Sequence, residues 1–482
     1  MGLDVTVRLD GRSLTIAELV RVARDGESVE LAAEAIVQME HSREVMVAAA
    51  AGGQSIYGFT TAVGALKYVN LEGSDIHQFN RTMVINCRTG HGEPVAQEVV
   101  RGTLLRLANH LARGVTGVRP ELAQLVVRAI NEKWDLPIRP LGSVGQADLT
   151  PLGDLAGALI DRESFRLEGG EGLALISNNA YSTAQAALAF ADLESLADTL
   201  DVAGALELEA FLANPSILHE ALAERPYPGL QKTAARLRGL LAGSALWNQG
   251  VPRYLQDPLT FRCLPQVHGA MRDALSFASH QLAIELNAAQ SNPLVSVAHQ
   301  QVIANGSFDS LPLAAALDFV RISLAPVLIS ANERMMKLLN GSSSGLEPGL
   351  TTEHHLGHDG YTEYGVAGQS IVSEACLLAA PVSFQLVSSS QSEGIEDRTA
   401  LTSLSARRLA EMVRLGEYVV AMELVAASQA IDLRPGLQLG TGTQVAYDQV
   451  RATIPALLAG EAVPIEIDAV IEQVRLGHYR QA

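Results

Sequence analysis

Three long helical segments in the second half of this chain restrict its fold more than any other feature. One runs from about Leu264 to Asn287, with Val267, Met271, Ala274, Ala278 and Leu282 apolar at a spacing of three to four residues. A second spans about Leu311 to Leu339, where Pro326 is expected to introduce a kink. A third runs from about Ser405 to Ile431. Apolar residues occupy more than one face of each, so these helices predict the centre of a bundle or an oligomer interface rather than a solvated surface. The composition agrees: 48% hydrophobic but only 5% aromatic, a balance that favours packed helices over sheets.

The expected fold class is therefore mainly α, with a smaller mixed N-terminal region. The expected division of the 482 residues is an N-terminal mixed domain over 1–205 and a long-helix bundle with a C-terminal helical region over 206–482. Val5, Val7 and Leu9 alternate before a turn at Asp10-Gly11, which predicts a short hairpin. Thr15 with Glu18 three residues later predicts a capping box at a helix start. Gly341-Ser342-Ser343-Ser344-Gly345 has the composition of a flexible connector.

Net charge is −18, so an acidic surface argues against nucleic acid as a partner. Three scattered cysteines, Cys87, Cys263 and Cys376, give neither a disulfide framework nor a close metal-ligand pair. No apolar run approaches the roughly 18 residues needed to span a bilayer. The N-terminus lacks the pattern of a signal peptide. Gly2 with Thr6 matches a myristoylation pattern too short to carry weight. The expectation is a soluble, cytoplasmic protein with a small-molecule substrate and no membrane partner.

The stretch Gly142-Ser143-Val144-Gly145-Gln146-Ala147-Asp148-Leu149-Thr150-Pro151-Leu152 is a glycine-bracketed loop entering a helix. Asp148 or Thr150 is suited to cap it, and Pro151 suits the first helical position. The free N–H groups and the helix dipole would point toward whatever occupies the loop. An ordinary capped turn accounts for these residues equally well.

The same loop, with the rest of the chain, resembles the histidine/phenylalanine/tyrosine ammonia-lyase and aminomutase family. Further matches are Tyr57-Gly58-Phe59-Thr60-Thr61-Ala62-Val63-Gly64, Gly90-His91-Gly92-Glu93-Pro94, Gly117-Val118-Arg119-Pro120-Glu121, Glu171-Gly172-Leu173-Ala174-Leu175-Ile176 and Phe261-Arg262-Cys263-Leu264-Pro265-Gln266. Asn287, Asn292-Pro293, Glu333-Arg334 and Glu396-Asp397 extend it. The resemblance implies an ammonia-lyase-like helical fold and a homotetramer with sites shared between chains. It makes Tyr57 the catalytic base, Glu396 the carboxylate facing the substrate amine, and Arg262 the binder of the substrate carboxylate. Departures gather at the same positions. Cys87 replaces a family histidine, Ser177 (beside Asn178) an asparagine, and Leu259 a tyrosine, while Ser307-Phe308-Asp309 replaces Asn-Phe-His. Cys87, Ser177, Asn178, Leu259, Phe308 and Gln146 are accordingly expected to line the substrate pocket.

The family's electrophile, a methylidene-imidazolone, forms from an Ala-Ser-Gly triplet. Here Gln146-Ala147 stands in its place. Cyclisation needs a glycine nitrogen free to reach a carbonyl two residues back, and a serine or cysteine to lose its heteroatom. From this the expectation is a lyase with no cofactor and no metal, distinct from a standard histidine, phenylalanine or tyrosine ammonia-lyase. Its Tyr57 would act on an already acidified proton, in β-elimination or the reverse addition. To act as a base Tyr57 would need a lowered pKa, from a helix terminus or a cation such as Arg262. Two other classes stand beside this one. A catalytically silent homologue would bind a ligand or a partner subunit, and a metal-dependent hydrolase would use His354, His355 and His358, though Gly357 weakens any helix there.

Overall fold

The structure is a computed structural model and describes residues 6–73, 75–352, 359–384, 391–458, 461–464 and 467–481. The chain divides into two compact units, each gathered from three segments. Unit one comprises Met1–Ala191, Ala278–Asp318 and Pro381–Arg407; unit two comprises Asp192–Phe277, Phe319–Ala380 and Arg408–Ala482. This interleaved division differs from a single cut after residue 205, because four long helices each contribute residues to both units.

Unit one begins with β1 (Val7–Leu9), α1 (Ile16–Val20), β2 (Val29–Leu31) and α2 (Ala33–Ala51). It continues with α3 (Asp75–Asn86), α4 (Gln97–Ala112), α5 (Pro120–Asn131), α6 (Leu149–Arg162) and α7 (Glu171–Ile176). The first long helix, α8, spans Ala180–Phe211; α9 (Pro228–Leu240), α10 (Leu259–Arg262) and α11 (Leu264–Asn287) follow. After the antiparallel pair β3 (Leu294–Ser296) and β4 (Gln301–Ile303) come α12 (Leu311–Leu339), α13 (Gly341–Ser344) and α14 (Thr362–Leu378). The chain ends with α15 (Thr402–Asp432), α16 (Thr441–Thr453) and α17 (Ile467–Arg475).

The mainly helical class is what the sequence predicts, and the three long segments lie where the periodicity puts them. The capping box also forms: Thr15 accepts from the Glu18 N–H while Glu18 accepts from Thr15. Three local expectations fail for physical reasons. β1 pairs in parallel with β2 rather than in a hairpin. The Asp10 carboxylate accepts the Arg12 and Ser13 N–H groups and steers the chain into α1, which supplies the crossover a parallel pair needs. The serine-rich connector is an ordered turn: Asn340 caps it by accepting from the Ser342 and Ser343 N–H groups, and Gly345 closes it at φ 68°. Finally α12, although interrupted by charges, is long and apolar enough to cross a membrane, yet 56% of its most apolar window is buried within the fold. A buried bundle helix meets the same test as a membrane span.

In unit one a core of Val45, Met46, Ile56, Val295 and Val302 fastens α2 to β3 and β4, with Phe59 packed against it. Arg106, fully buried on α4, donates to the Glu285 and Ala288 carbonyls (2.9 and 3.1 Å) and to Gln290 Oε1 (3.0 Å). Gln290 Oε1 also accepts the Asn179 N–H at 3.1 Å, which fixes the entry to α8. In unit two, Arg334 lies wholly buried between Glu207 (2.7 Å) and Glu423 (2.5 Å), tying α8, α12 and α15 together. Breaking such a buried triad strands an uncompensated charge.

Candidate active site

The tyrosine segment is a tight loop after α2. The N–H groups of Phe59, Thr60 and Thr61 all point at the Ile56 carbonyl (2.9–3.1 Å), and Thr60 Oγ1 accepts the Ile56 N–H at 2.7 Å. Gly58 sits at φ 72°, and a Cβ there would lie 2.5 Å from Leu173 Cδ2, so only glycine fits this approach to α7. The Tyr57 hydroxyl accepts the Gly64 N–H at 2.8 Å.

Tyr57 lines a cavity with Met46, Phe59, Leu173, Ser177 and Asn292. The cavity is small, with room for about one water. Burial pushes the Tyr57 phenol above its ordinary 10.0; the Gly64 N–H opposes the rise and the Glu396 charge adds to it. Cys87 follows α3, and its backbone lies against Gly153 of α6, where a Cβ would come within 2.6 Å. Burial, then the Glu396 charge, pushes the Cys87 thiol up to about 11. Glu396 thus acts electrostatically on both. The lowered phenol pKa expected from the sequence is reversed, because burial outweighs the one N–H that favours the phenolate.

The glycine-bracketed loop lies in the same unit. The Val144 carbonyl accepts from the Ala400 and Leu401 N–H groups (3.2 and 2.9 Å). Gly145, at φ 82°, leaves no room for a Cβ, which would lie 2.6 Å from the Leu401 nitrogen. Gln146 pairs with Asp309 in an isolated bridge, and its amide donates to Asp309 Oδ2 at 3.3 Å. Burial works against ionisation of Asp309, yet Arg398 at 2.5 Å, the Leu311 N–H and Gln146 hold its carboxyl below the usual range.

Asp148 is the N-cap residue of α6, but its side chain does not cap. Fully buried, it accepts from Ser143 Oγ (2.8 Å), the Ser182 N–H (2.8 Å) and Ser182 Oγ (2.9 Å), while its own N–H donates to the Asn178 carbonyl (2.8 Å). Burial pushes this carboxyl up to about 6 against those hydrogen bonds. Pro151 falls at the third helical position rather than the first. Nothing local signals the partnership with Ser182, which is 34 residues away.

Of the expected site residues, Tyr57 and Ser177 share the cavity, and the Glu396 charge acts on both Tyr57 and Cys87. Asn178 is buried, with its amide donating to the Ala174 carbonyl and accepting the Ala180 N–H, so it bridges α7 and α8. Phe308 is half-buried and its carbonyl accepts from the Asn179 amide. Arg262 and Leu259 belong to unit two: Arg262 donates to the Asp257 carbonyl at 2.8 Å, and Leu259 is 62% exposed. Among the described residues no group of three or more histidine, cysteine or carboxylate side chains could hold a metal. His354, His355 and His358 lie outside the described residues.

A helical chain with a tyrosine loop beside a glycine-bracketed helix entry has the architecture of the ammonia-lyases and aminomutases. It superimposes on tyrosine aminomutase from Streptomyces globisporus with a TM-score of 0.92 at 27% identity, covering 99% of this chain and 98% of the other. Ergothionase from Treponema denticola, an ergothioneine-degrading enzyme, gives 0.91 at 25% identity over 98% and 99%. The family model for aromatic amino acid lyases matches residues 14–166 and 161–452. The histidine ammonia-lyase of Gloeobacter violaceus is 36% identical over 98% of this chain and 96% of its own length. The chain belongs to the aromatic amino acid lyase family.

These relatives overturn two expectations. Proteins 31–36% identical over nearly the whole chain carry the name histidine ammonia-lyase, which points to standard ammonia-lyase activity rather than a departure from it. The expectation of no cofactor conflicts with the same relatives, whose family normally uses the methylidene-imidazolone. The departure is confined to two residues of one loop, whereas the likeness to these relatives runs over nearly the whole chain. Gln146 and Ala147 themselves hold no side-chain hydroxyl or thiol to eliminate, and Ala147 is at φ 62° with a buried side chain. They do not fit formation of that group by the family's route.

Proposed function

We propose that this chain is a carbon–nitrogen lyase that removes a proton from the carbon beside an amine-bearing carbon and expels the amine, leaving a carbon–carbon double bond. Tyr57 Oη takes the proton; the C–H electrons become the second bond of the alkene, and the C–N electrons leave with the amine. Glu396 faces the amine and Arg262 binds the substrate carboxylate, roles that rest on matched family positions and on the chemistry of a planar guanidinium fork. Ser177, Cys87, Leu259, Phe308, Gln146 and Asn178 shape or support the pocket. The same groups serve the reverse addition, and a proton acidified by a neighbouring carbonyl makes the smallest demand on the base. Histidine is the first substrate to assay.

The observation that carries this reading is Tyr57 lining a small cavity together with Ser177 and under the influence of the Glu396 charge. A phenol raised above 10.0 is almost wholly neutral at pH 7, and its scarce phenolate is a strong base. Turnover limited by proton removal should rise about tenfold per pH unit to beyond pH 10. Incubation with histidine, followed by the ultraviolet band of the acrylate product, tests it. Tyr57→Phe should lower the rate by about 100-fold or more. A Tyr57→Phe protein as fast as the parent, or a rate flat from pH 7 to 10, would refute the base role.

A homotetramer is part of the proposal. On α12 the exposed Phe319, Ile322, Ile329 and Met336 recur at heptad spacing, with Pro326 exposed between them. An apolar stripe of that kind suits burial against a second copy.

A further inference from the structure

Tyr57 sits on a loop whose far side is held by groups that take no part in the proposed chemistry. Arg43, on α2, donates through Nη1 to the Gly117 carbonyl (3.0 Å) and the Gly169 carbonyl (2.9 Å). Two carbonyl anchors on different segments fix the plane of its guanidinium. The Phe59 ring lies against that plane, with the Arg43 guanidinium carbon 5.1 Å from the ring centroid. Another part of the ring packs on Gly169 and Gly170, where added Cβ atoms would approach it to 3.3 and 3.2 Å. The glycines let the ring settle onto the backbone before α7. Glu171 and Glu168 add negative charge around Arg43, and Glu171 is itself held by Arg119 at 2.8 Å. Phe59 is two residues from Tyr57, and both line the cavity.

We propose that Arg43 is a positioning residue: its guanidinium clamps Phe59 against the Gly169-Gly170 turn and so holds the Tyr57 loop in the cavity-lining conformation. The function of this clamp rests on Tyr57 acting as the base, whereas its existence does not. A partly buried cation–π contact of this kind stabilises by about 1–2 kcal/mol. Losing it should open the loop about 5- to 30-fold more often, since 1.4 kcal/mol is tenfold.

Hydrogen exchange on the intact protein reads the clamp directly, because the Gly64 N–H is closed by the Tyr57 hydroxyl and the Phe59 and Thr60 N–H groups by Ile56. In Arg43→Gln and in Phe59→Leu these amides should exchange about 5- to 30-fold faster while amides in α4 and α5 keep their parent rates. Phe59→Tyr keeps the ring and should restore slow exchange. If Tyr57 is the base, kcat on histidine should fall only in proportion to the lost closed population, while KM changes less. Exchange within twofold of the parent in both Arg43→Gln and Phe59→Leu would overturn the clamp, whatever their activity. An active Tyr57→Phe protein would instead overturn the base role and leave the exchange result standing. Should Arg43→Gln fail to fold, Phe59→Leu, which keeps the apolar contact and removes only the ring face, decides the matter.

Discussion

Replacing Asp148 by asparagine should make the protein more stable at neutral pH, although it removes a carboxylate that accepts three hydrogen bonds. Burial raises this carboxyl from 3.8 to about 6 in the folded chain, so the folded state holds the proton more tightly than the unfolded one. The stability linked to that proton is fully present below pH 3.8, falls as pH rises through about 6, and is constant above it. The gap is worth about 3 kcal/mol. This value is already net of the hydrogen bonds that oppose burial, so about 2–3 kcal/mol stands against the ionised form. An asparagine oxygen can still accept from the Ser182 N–H and Oγ, and the Ser143 hydroxyl can turn to accept from its amide. Asp148→Asn should therefore match the parent near pH 4 and exceed it by about 2 kcal/mol at pH 7.5. Urea unfolding in a Trp247→Phe background leaves Trp134, buried in unit one, as the reporter. Comparing parent and variant at each pH cancels the other titrating groups. A difference that stays flat from pH 4 to 7.5, or a parent that gains on the variant as pH rises, would refute the argument: the hydrogen bonds would then outweigh burial.

Other perturbations test the loop and the assembly. Gly145→Ala places a Cβ 2.6 Å from the Leu401 nitrogen at a positive φ, and should cost about 2–4 kcal/mol, seen as a lowered Tm; an unchanged Tm would mean the loop does not sit against Leu401. Phe319→Glu with Ile329→Glu puts two charges into the exposed stripe of α12 and should lower the mass measured by light scattering. An unchanged oligomer would show that this stripe is not the contact.

Helices whose apolar residues leave a polar stripe, or whose ends carry Gly and Pro signals, could be located from the sequence: α11 and α12 to the residue, α15 within three. The longest helix, α8, leaves no such signal in the sequence. Its 32 residues are Ala- and Leu-rich on every side, and most of them are buried, so no periodic face marks it. Strand pairing failed for a related reason: Val7–Leu9 signals a strand, but whether its partner is adjacent or beyond a helix depends on Asp10, whose carboxylate turns the chain. At the site, Tyr57 and Glu396 stand out by their matched family positions and not by residue type, while the partnerships in the loop region join positions 34 to 163 residues apart, as Asp148 with Ser182 and Gln146 with Asp309. Such pairs leave no local pattern.

The acidity of Tyr57 shows how far residue identity alone can mislead. A tyrosine proposed as a base invites a lowered pKa and hence a nearby cation such as Arg262. In the structure the hydroxyl has one N–H partner, a buried ring and the Glu396 charge, and all but the first disfavour the phenolate. A base need not be abundant if it is strong: each unit by which the pKa exceeds the working pH lowers the phenolate fraction tenfold while raising its proton affinity by 1.36 kcal/mol. When proton transfer follows that affinity only in part, the scarcity wins, and the enzyme gains from alkaline conditions or from a substrate whose charge replaces what Glu396 repels. An amine facing Glu396 would supply that positive charge and lower the Tyr57 pKa on binding. The pH profile of kcat should then lie to the acid side of that of kcat/KM, and coincident profiles would mean that the bound amine does not reach the Glu396 charge.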